Sequence, residues 1–205
     1  MRKNFNKSIK LYDVAGGDIN RPAMQCILFQ NGYAYATEAH MMIKARLEDI
    51  TNFAPEEIAI LEGKMISADS LKRIYSHQTV EVTNDGIIAK DTETGCKITY
   101  TYADPETVGK FPNCEKVLAD AMESPLHPKD VIGINYGMLD TLTNAMGCKD
   151  NAKLEIRNNG NTIVVTSLDL FSTITGLLML KQTEEEKVEA LEKARKQEQQ
   201  AEEQQ

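Results

Sequence analysis

The chain has 205 residues, 41% of them hydrophobic and 26% charged, with a formal net charge of −8. That suffices for one large domain or two small ones with a buried core, and it excludes a chain disordered or fibrous throughout. The acidic balance argues against gripping nucleic acid with the whole surface, but leaves room for a local basic face.

In chain order, MRKNFNKSIK lacks the apolar run of a secretion signal, and Phe5 and Ile9 stand isolated in it. Gly16-Gly17 ends whatever forms before it. Asn31-Gly32 then separates CILFQ from YAYAT. Such pairs favour type I′ turns because both central residues need positive φ, so a β-hairpin is expected, followed by a strand over 41–47. Residues 64–67 read as a short strand leading into a helix over 68–76, with Leu71, Ile74 and Tyr75 on one stripe. Asp85-Gly86 marks a second hairpin between TVEVTN and IIAKD, with a third strand over 96–102. Pro125 and Pro128 punctuate a linker. A strand over 131–135 leads into a helix over 136–146, with Met138, Leu139, Leu142 and Met146 as its stripe and Gly147 as its stop. Asn159-Gly160 marks the third hairpin, between KLEIRN and NTIVVTS, with a strand over 171–180 after it. Residues 183–205 are Glu/Lys/Gln-rich, with eight acids and four bases, and read as a solvated polar helix.

The order strand, helix and three strands thus appears twice in full. A shortened copy comes first, with only residues 5–20 for its opening strand and helix. The turns lie 54 and 74 residues apart, so the chain reads as three half-units plus a tail. Four scattered cysteines (Cys26, Cys96, Cys114, Cys148) and three histidines (His40, His77, His127) form no close metal-ligand pairs, so neither a metal nor a cofactor is expected. Without a secretion signal the thiols are expected reduced, in a cytoplasmic protein. No stretch approaches the ~18 apolar residues of a membrane span. No phosphate-binding glycine loop or adjacent nucleophile–base pair appears, so no catalytic residue is assigned and the chain is not expected to be an enzyme.

The segment RPAMQCILFQNGYAYATEAHMM, residues 21–42, resembles the middle domain of the bacterial DNA sliding clamp, the beta subunit of DNA polymerase III. That family's Ala-Thr-Asp-Gly-His-Arg-Leu motif stands here as Ala36-Thr37-Glu38-Ala39-His40-Met41-Met42. Two later segments agree in order. GKFPNCEKVL at 109–118 is similar to the family's Gly-Arg-Phe-Pro-Asp-Tyr motif and the residues after it. GLLMLK at 176–181 is similar to its C-terminal strand. The resemblance covers about residues 20–182.

It implies an α+β sliding-clamp (processivity-factor) fold built from strand–helix–three-strand half-units, plus a C-terminal polar helix. The expected organisation is a two-half-unit clamp domain over 1–118, a linker over 119–130, a single half-unit over 131–182, and a charged helical or disordered tail over 183–205. It also implies a non-enzymatic DNA polymerase processivity factor. Such a protein binds short linear motifs of polymerases or other replication and repair proteins, and encircles double-stranded DNA without sequence specificity as a homo-oligomer. The family's partner-peptide pocket falls on Met24, Thr37, Ala39, His40, Met41, Met42, Pro112, Lys116, Val117, Leu178, Met179 and Leu180, with a register open by one residue in the last strand. Adaptable methionines suit such a pocket, and they equally suit a core. The DNA-facing positions are Lys10, Lys72, Arg73 and Lys149.

The sequence departs from the family in ways that bear on function. Met41 stands where the family has Arg, Ala39 where it has Gly, and Leu180 where it has Pro. The helix over 136–146 holds no basic residue. The family's first domain and half of its last are missing. A lone third half-unit leaves an open sheet edge, so two chains are expected to pair these units across a two-fold. The alternative to a DNA-encircling clamp is a clamp-fold peptide-binding adaptor or decoy that does not encircle DNA.

Overall fold

The structure, a computed structural model, describes residues 3–90, 95–128, 132–148, 151–157, 161–168 and 174–180. Lys149, the Asn159-Gly160 turn and the tail over 183–205 lie outside the described residues.

The N-terminal segment keeps only traces of the expected strand and helix. Phe5 makes one bridge to Thr51, and Leu11–Asp13 is a single 3-10 turn. The segment is nevertheless core, because Phe5, Ile9, Leu11 and Val14 are all buried. The Phe5 ring packs on Phe29, Phe53 and Tyr75. After a 3-10 turn at Pro22–Gln25 come β1 (Cys26–Gln30), β2 (Tyr33–Thr37) and β3 (Met41–Arg46). The first hairpin forms as expected: Asn31 and Gly32 have φ of 53° and 75°, the positive pair a type I′ turn requires.

Two short helices come next that no sequence signal announced, α1 (Leu47–Ile50) and α2 (Pro55–Leu61). Pro55 opens α2 with a preset φ. Glu57 accepts a hydrogen bond from the Ala54 N–H at 2.8 Å and an ion pair from Lys3 at 2.7 Å. After them stand β4 (Met65–Ser67) and α3 (Ala68–Ile74), the latter capped by the Ser67 hydroxyl, which accepts from the Ser70 N–H.

The second hairpin joins β5 (Thr79–Val82) to β6 (Gly86–Lys90), and β7 (Lys97–Thr101) completes a three-stranded sheet. Its turn is not Asp85-Gly86. The Thr83 N–H donates to the Gly86 carbonyl at 3.0 Å, so the two loop residues are Asn84 and Asp85, neither with positive φ. Gly86 is a strand residue facing Thr101. It is glycine because a Cβ there would overlap the Tyr100 carbonyl oxygen and sit 3.0 Å from Thr101 Cα.

The remaining elements are α4 (Pro105–Val108), α5 (Cys114–Glu123), α6 (Tyr136–Ala145), β8 (Ala152–Arg157), β9 (Thr162–Ser167) and β10 (Thr175–Met179). Residues 119–123, expected in the linker, continue α5. Cys114, Leu118 and Ala121 are buried one or two turns apart, and that stripe carries the helix past Leu118. The strand expected over 131–135 is, among described residues, a lone bridge at Gly133.

The larger sheet has the order β4-β1-β2-β3-β10-β9-β8. The first two half-units exchange opening segments. β4 pairs with β1, while the Val80 N–H of β5 donates to the Lys3 carbonyl at 2.8 Å. The third half-unit joins through antiparallel pairing of β10 with β3, with Leu178 opposite Met41 and Leu177 opposite Met42. The main core lies on the inner face of this sheet, under the Leu11–Asp13 turn, α3 and α6, and extends to β5 and β6 through Val80, Val82, Ile87 and Ala89. A second apolar cluster lies on the outer face, under α5.

Candidate functional site

Register partners in an antiparallel sheet share a face. Thr37, Met42, Leu177 and Val164 therefore form one row across β2, β3, β10 and β9. Tyr35 and Lys44 belong to the row on one side, Met179 and Thr162 to the row on the other. Met42, Leu177, Val164 and Tyr35 cluster with Leu118, Ala121, Cys114 and Phe111, which places this row on the outer face beneath α5. Met41 and Leu178 belong to the inner core, at 8% and 0% exposure.

The direction of α5 is set by its polar contacts. Near its start, Glu115 meets Lys44 at 3.6 Å. At its far end, the Met122 and Ser124 carbonyls accept from Arg157 Nη1 at 2.8 Å each. The helix thus crosses the sheet from β2 towards β8. Val117 sits about 160° around the helix from Glu115, on the flank away from Lys44 and towards Thr37 and Met179. Val117 and Met179 are 51% and 45% exposed, and His40 is exposed too. The Met179 N–H donates to the His40 carbonyl at 2.8 Å. Helix and strand periodicity thus outline a candidate cleft, with Val117 on its helical side, His40 and Met179 on its strand side, and Thr37, Met42 and Leu177 as its floor.

The β2–β3 turn at the end of this cleft is held from within. Thr37 Oγ1 donates to the Met41 carbonyl at 2.8 Å and accepts from the Ala39 N–H at 3.2 Å. Glu38 Oε1 accepts from the His40 and Met41 N–H groups, both at 2.9 Å. Ala39 has φ of 86°, a region that strains a residue with a Cβ. The side chains left facing outward are His40 and Met179.

Of the other predicted pocket positions, Met24 lies beside this turn, since the Gly16 N–H reaches both the Met24 and Thr37 carbonyls at 2.9 and 3.3 Å. Ala39 is half-buried within the turn itself, and Lys116 is exposed on the solvent side of α5. Leu180 packs on the main core. Pro112 lines a separate cavity of about 330 Å³ with Leu28, Gln30, Tyr35 and Lys110. A second cavity of the same size lies across Phe111 from it, lined by Met65 and Pro105. Sequence reasoning missed Leu177 and the apolar stripe of α5. The alternation of a strand would have paired Leu177 with Met179 on one face had the phase been known.

On the opposite side, Lys10, Lys72 and Arg73 are exposed around the Leu11–Asp13 turn and α3. Lys72 Nζ stands 5.8 Å from the centre of the Tyr12 ring. The neighbouring α6 exposes Tyr136 and Asp140 and has no basic residue. Among the described residues, the basic positions expected to face DNA thus come from the first and second half-units. Neither buried outer-face cysteine is a nucleophile in waiting: burial raises the Cys26 thiol and pushes that of Cys114 up to about 12. Among the described residues no group of His, Cys, Asp or Glu could hold a metal ion, and no helix is long and apolar enough to cross a membrane.

This architecture is that of a sliding clamp. The H. pylori beta clamp, solved in complex with diflunisal, is similar with a TM-score of 0.59 and 12% identity, over 88% of this chain and 66% of the clamp. The Bacillus subtilis DNA polymerase sliding clamp is similar with a TM-score of 0.54 and 10% identity, over 89% of this chain and 64% of that one. At these identities the likeness is one of fold, and the chain spans less than two thirds of the length of these clamps. No family model and no curated protein matches the sequence.

Proposed function

We propose that this chain is a clamp-like DNA polymerase processivity factor, a cytoplasmic binding protein without catalytic activity. The cleft between α5 and the β3–β10 junction takes a short linear motif of a polymerase or another replication or repair protein. The side bearing Lys10, Lys72 and Arg73 faces double-stranded DNA, touching phosphate and not base, which leaves the protein free to slide. A homo-oligomer encircles the duplex. Residues 1–118 act as the two-half-unit domain and 131–182 as the single half-unit completing the cleft.

The observation that carries this reading is the pairing of β10 with β3. It sets Leu177 against Met42 and Met179 beside His40, although more than a hundred residues of chain separate them. Adaptable methionines at the rim and floor suit aromatic and aliphatic peptide anchors.

The test is retention of the protein on nicked circular DNA against the same DNA linearised. A ring is held on circles and lost from linear ends. Equal retention on both, or no binding to either while a peptide still binds, would replace the encircling clamp with a clamp-fold adaptor or decoy.

A further inference from the structure

The two cavities of about 330 Å³ on the outer face share Phe111 as a wall, and Leu28, Gln30 and Lys110 line both. They lie on the Tyr35 side of the row through Thr37, Met42 and Leu177, whereas Met179 belongs to the other side. Their remaining walls differ in chemistry. The first adds the polar side chains of Tyr35, Asn113 and Glu115. The second adds Gly63, Met65 and Pro105, and is mainly apolar.

The polar cavity presents donors. Tyr35 is 2% exposed, and its hydroxyl is buried without a hydrogen-bond partner among the described residues. Such a group carries a desolvation cost that a bound acceptor would offset. Burial, and after it the Glu115 charge, raises the Tyr35 pKa, so the hydroxyl keeps its proton and acts as a donor. Glu115 and Cys114, which both act on that hydroxyl, line the cavity and place it at the wall. Lys110 is exposed and makes no ion pair among the described residues. The Asn113 side-chain oxygen accepts from the Lys116 N–H at 3.1 Å, which leaves its amide nitrogen to donate. The carboxylate in the wall is already engaged: Glu115 Oε1 meets Lys44 at 3.6 Å, and Oε2 accepts from Asn31 Nδ2 at 3.0 Å. A phenol, an ammonium and an amide thus converge where the lining acid is neutralised.

We propose that this pair of cavities docks an extended segment of a partner protein, with an acidic residue in the polar cavity and an apolar residue two positions away in the other. Alternate residues of an extended segment share a face about 6.6 Å apart, which suits two side chains straddling one aromatic ring. The carboxylate accepts from Lys110 and from the Tyr35 hydroxyl. The apolar side chain packs on Leu28, Met65 and Pro105. Gln30, common to both cavities, offers its amide to the segment's backbone. Each cavity is at the small end of the ~300–1,000 Å³ range of ligand pockets, so side chains fit it better than a large ligand does. The inference rests on these cavities alone, so it can fail while the cleft and DNA reading stands.

The probe is the peptide acetyl-Ala-Glu-Ala-Leu-Ala-amide, titrated into the isotope-labelled full chain and followed by backbone amide chemical shifts. Shifts are expected at Gln30, Gly63, Lys110 and Asn113 and not at His40 or Val117, with a roughly millimolar affinity. Replacing the peptide's Glu by Gln, or introducing Lys110→Glu or Tyr35→Phe, should each weaken binding about tenfold. Tyr35→Phe removes a hydroxyl that has no partner to lose, so it should melt no lower than wild type. Met179→Asp should leave the titration unchanged, which separates this site from the cleft. Binding that survives both Lys110→Glu and Tyr35→Phe would overturn the inference. So would shifts confined to His40 and Val117, or none at about 10 mM peptide. Saturation of the cavity by benzoate with no response to the peptide would also overturn it, in favour of a site for small free acids.

Discussion

Gly86 separates two accounts of the second hairpin. A glycine in a strand ordinarily gains from replacement by alanine, by about 0.4–1 kcal/mol, because the unfolded chain loses freedom. Here the added Cβ would overlap the Tyr100 carbonyl oxygen and stand 3.0 Å from both Tyr100 C and Thr101 Cα. These are backbone atoms and cannot rotate away. β7 would have to retreat by about the shortfall from an ordinary carbon–oxygen contact, roughly 1 Å. Overpacking of that kind costs about 1–3 kcal/mol, and loosening the ladder adds to it. The expected net loss for Gly86→Ala is about 2 kcal/mol, and at least as much for Gly86→Asn. In urea, with a slope near 2 kcal/mol per molar, each midpoint falls by roughly 1 M. The asparagine variant is the decisive one. Asn tolerates positive φ and suits a type I′ turn, so a turn glycine would accept it nearly without cost. A Gly86→Asn midpoint within about 0.2 M of wild type would refute the assignment of Gly86 to a strand under the Tyr100 carbonyl.

Other expectations rest on single contacts. Ala39→Gly relieves a positive φ and should raise stability by about 0.5–1.5 kcal/mol in the same titration, the strain released exceeding the added chain entropy. Burial works against the Glu57 carboxylate, but hydrogen bonds from Lys3 and the Ala54 N–H outweigh it and hold its pKa below the ordinary value. Its stabilisation is therefore present above the unfolded carboxylate pKa of about 4.3 and is lost as pH falls through the lower folded value. Melting curves of wild type and Glu57→Gln should converge in that acid range and separate at neutral pH. Lys72→Ala with Arg73→Ala should weaken DNA binding irrespective of sequence and flatten the slope of log affinity against log salt by about 2.

Much of this fold is written locally, and the exceptions have physical reasons. Asn31-Gly32 was legible because two adjacent residues must both turn left-handed. Asp85-Gly86 looks identical in sequence, yet Gly86 is needed for close approach of the Tyr100 carbonyl, a constraint from a strand fourteen residues away. The helix α2 was hidden because its N-cap, Ala54, has no capping side chain; Glu57 within the helix accepts from the Ala54 N–H instead, and Lys3, far off in sequence, pairs with that carboxylate. Pro125 and Pro128 suggested a linker, but Cys114, Leu118 and Ala121 at helical spacing carry α5 across the sheet.

The same reasoning applies to the cleft. The run Leu177-Leu178-Met179-Leu180 shows that residues alternate, and not which of them face outward. Pairing with β3 fixes the phase. It turns Leu177 and Met179 outward and sends Leu178, with Met41, into the core. The basic positions were legible as charge alone, and only the topology shows Lys10 beside Lys72 and Arg73 on the side opposite α5.

The cleft is the claim on which the functional account turns, and fluorescence polarization addresses it most directly. A labelled peptide of the Gln-Leu-x-Leu-Phe type would be titrated with wild type, Met179→Asp and Val117→Asp. Both substituted side chains are about half exposed, so their circular dichroism melts should stay within a few degrees of wild type. The account predicts binding in roughly the micromolar range for wild type and at least a tenfold loss in each variant, about 1.4 kcal/mol. Binding that both variants leave unchanged, or no binding by a folded wild type, would contradict it.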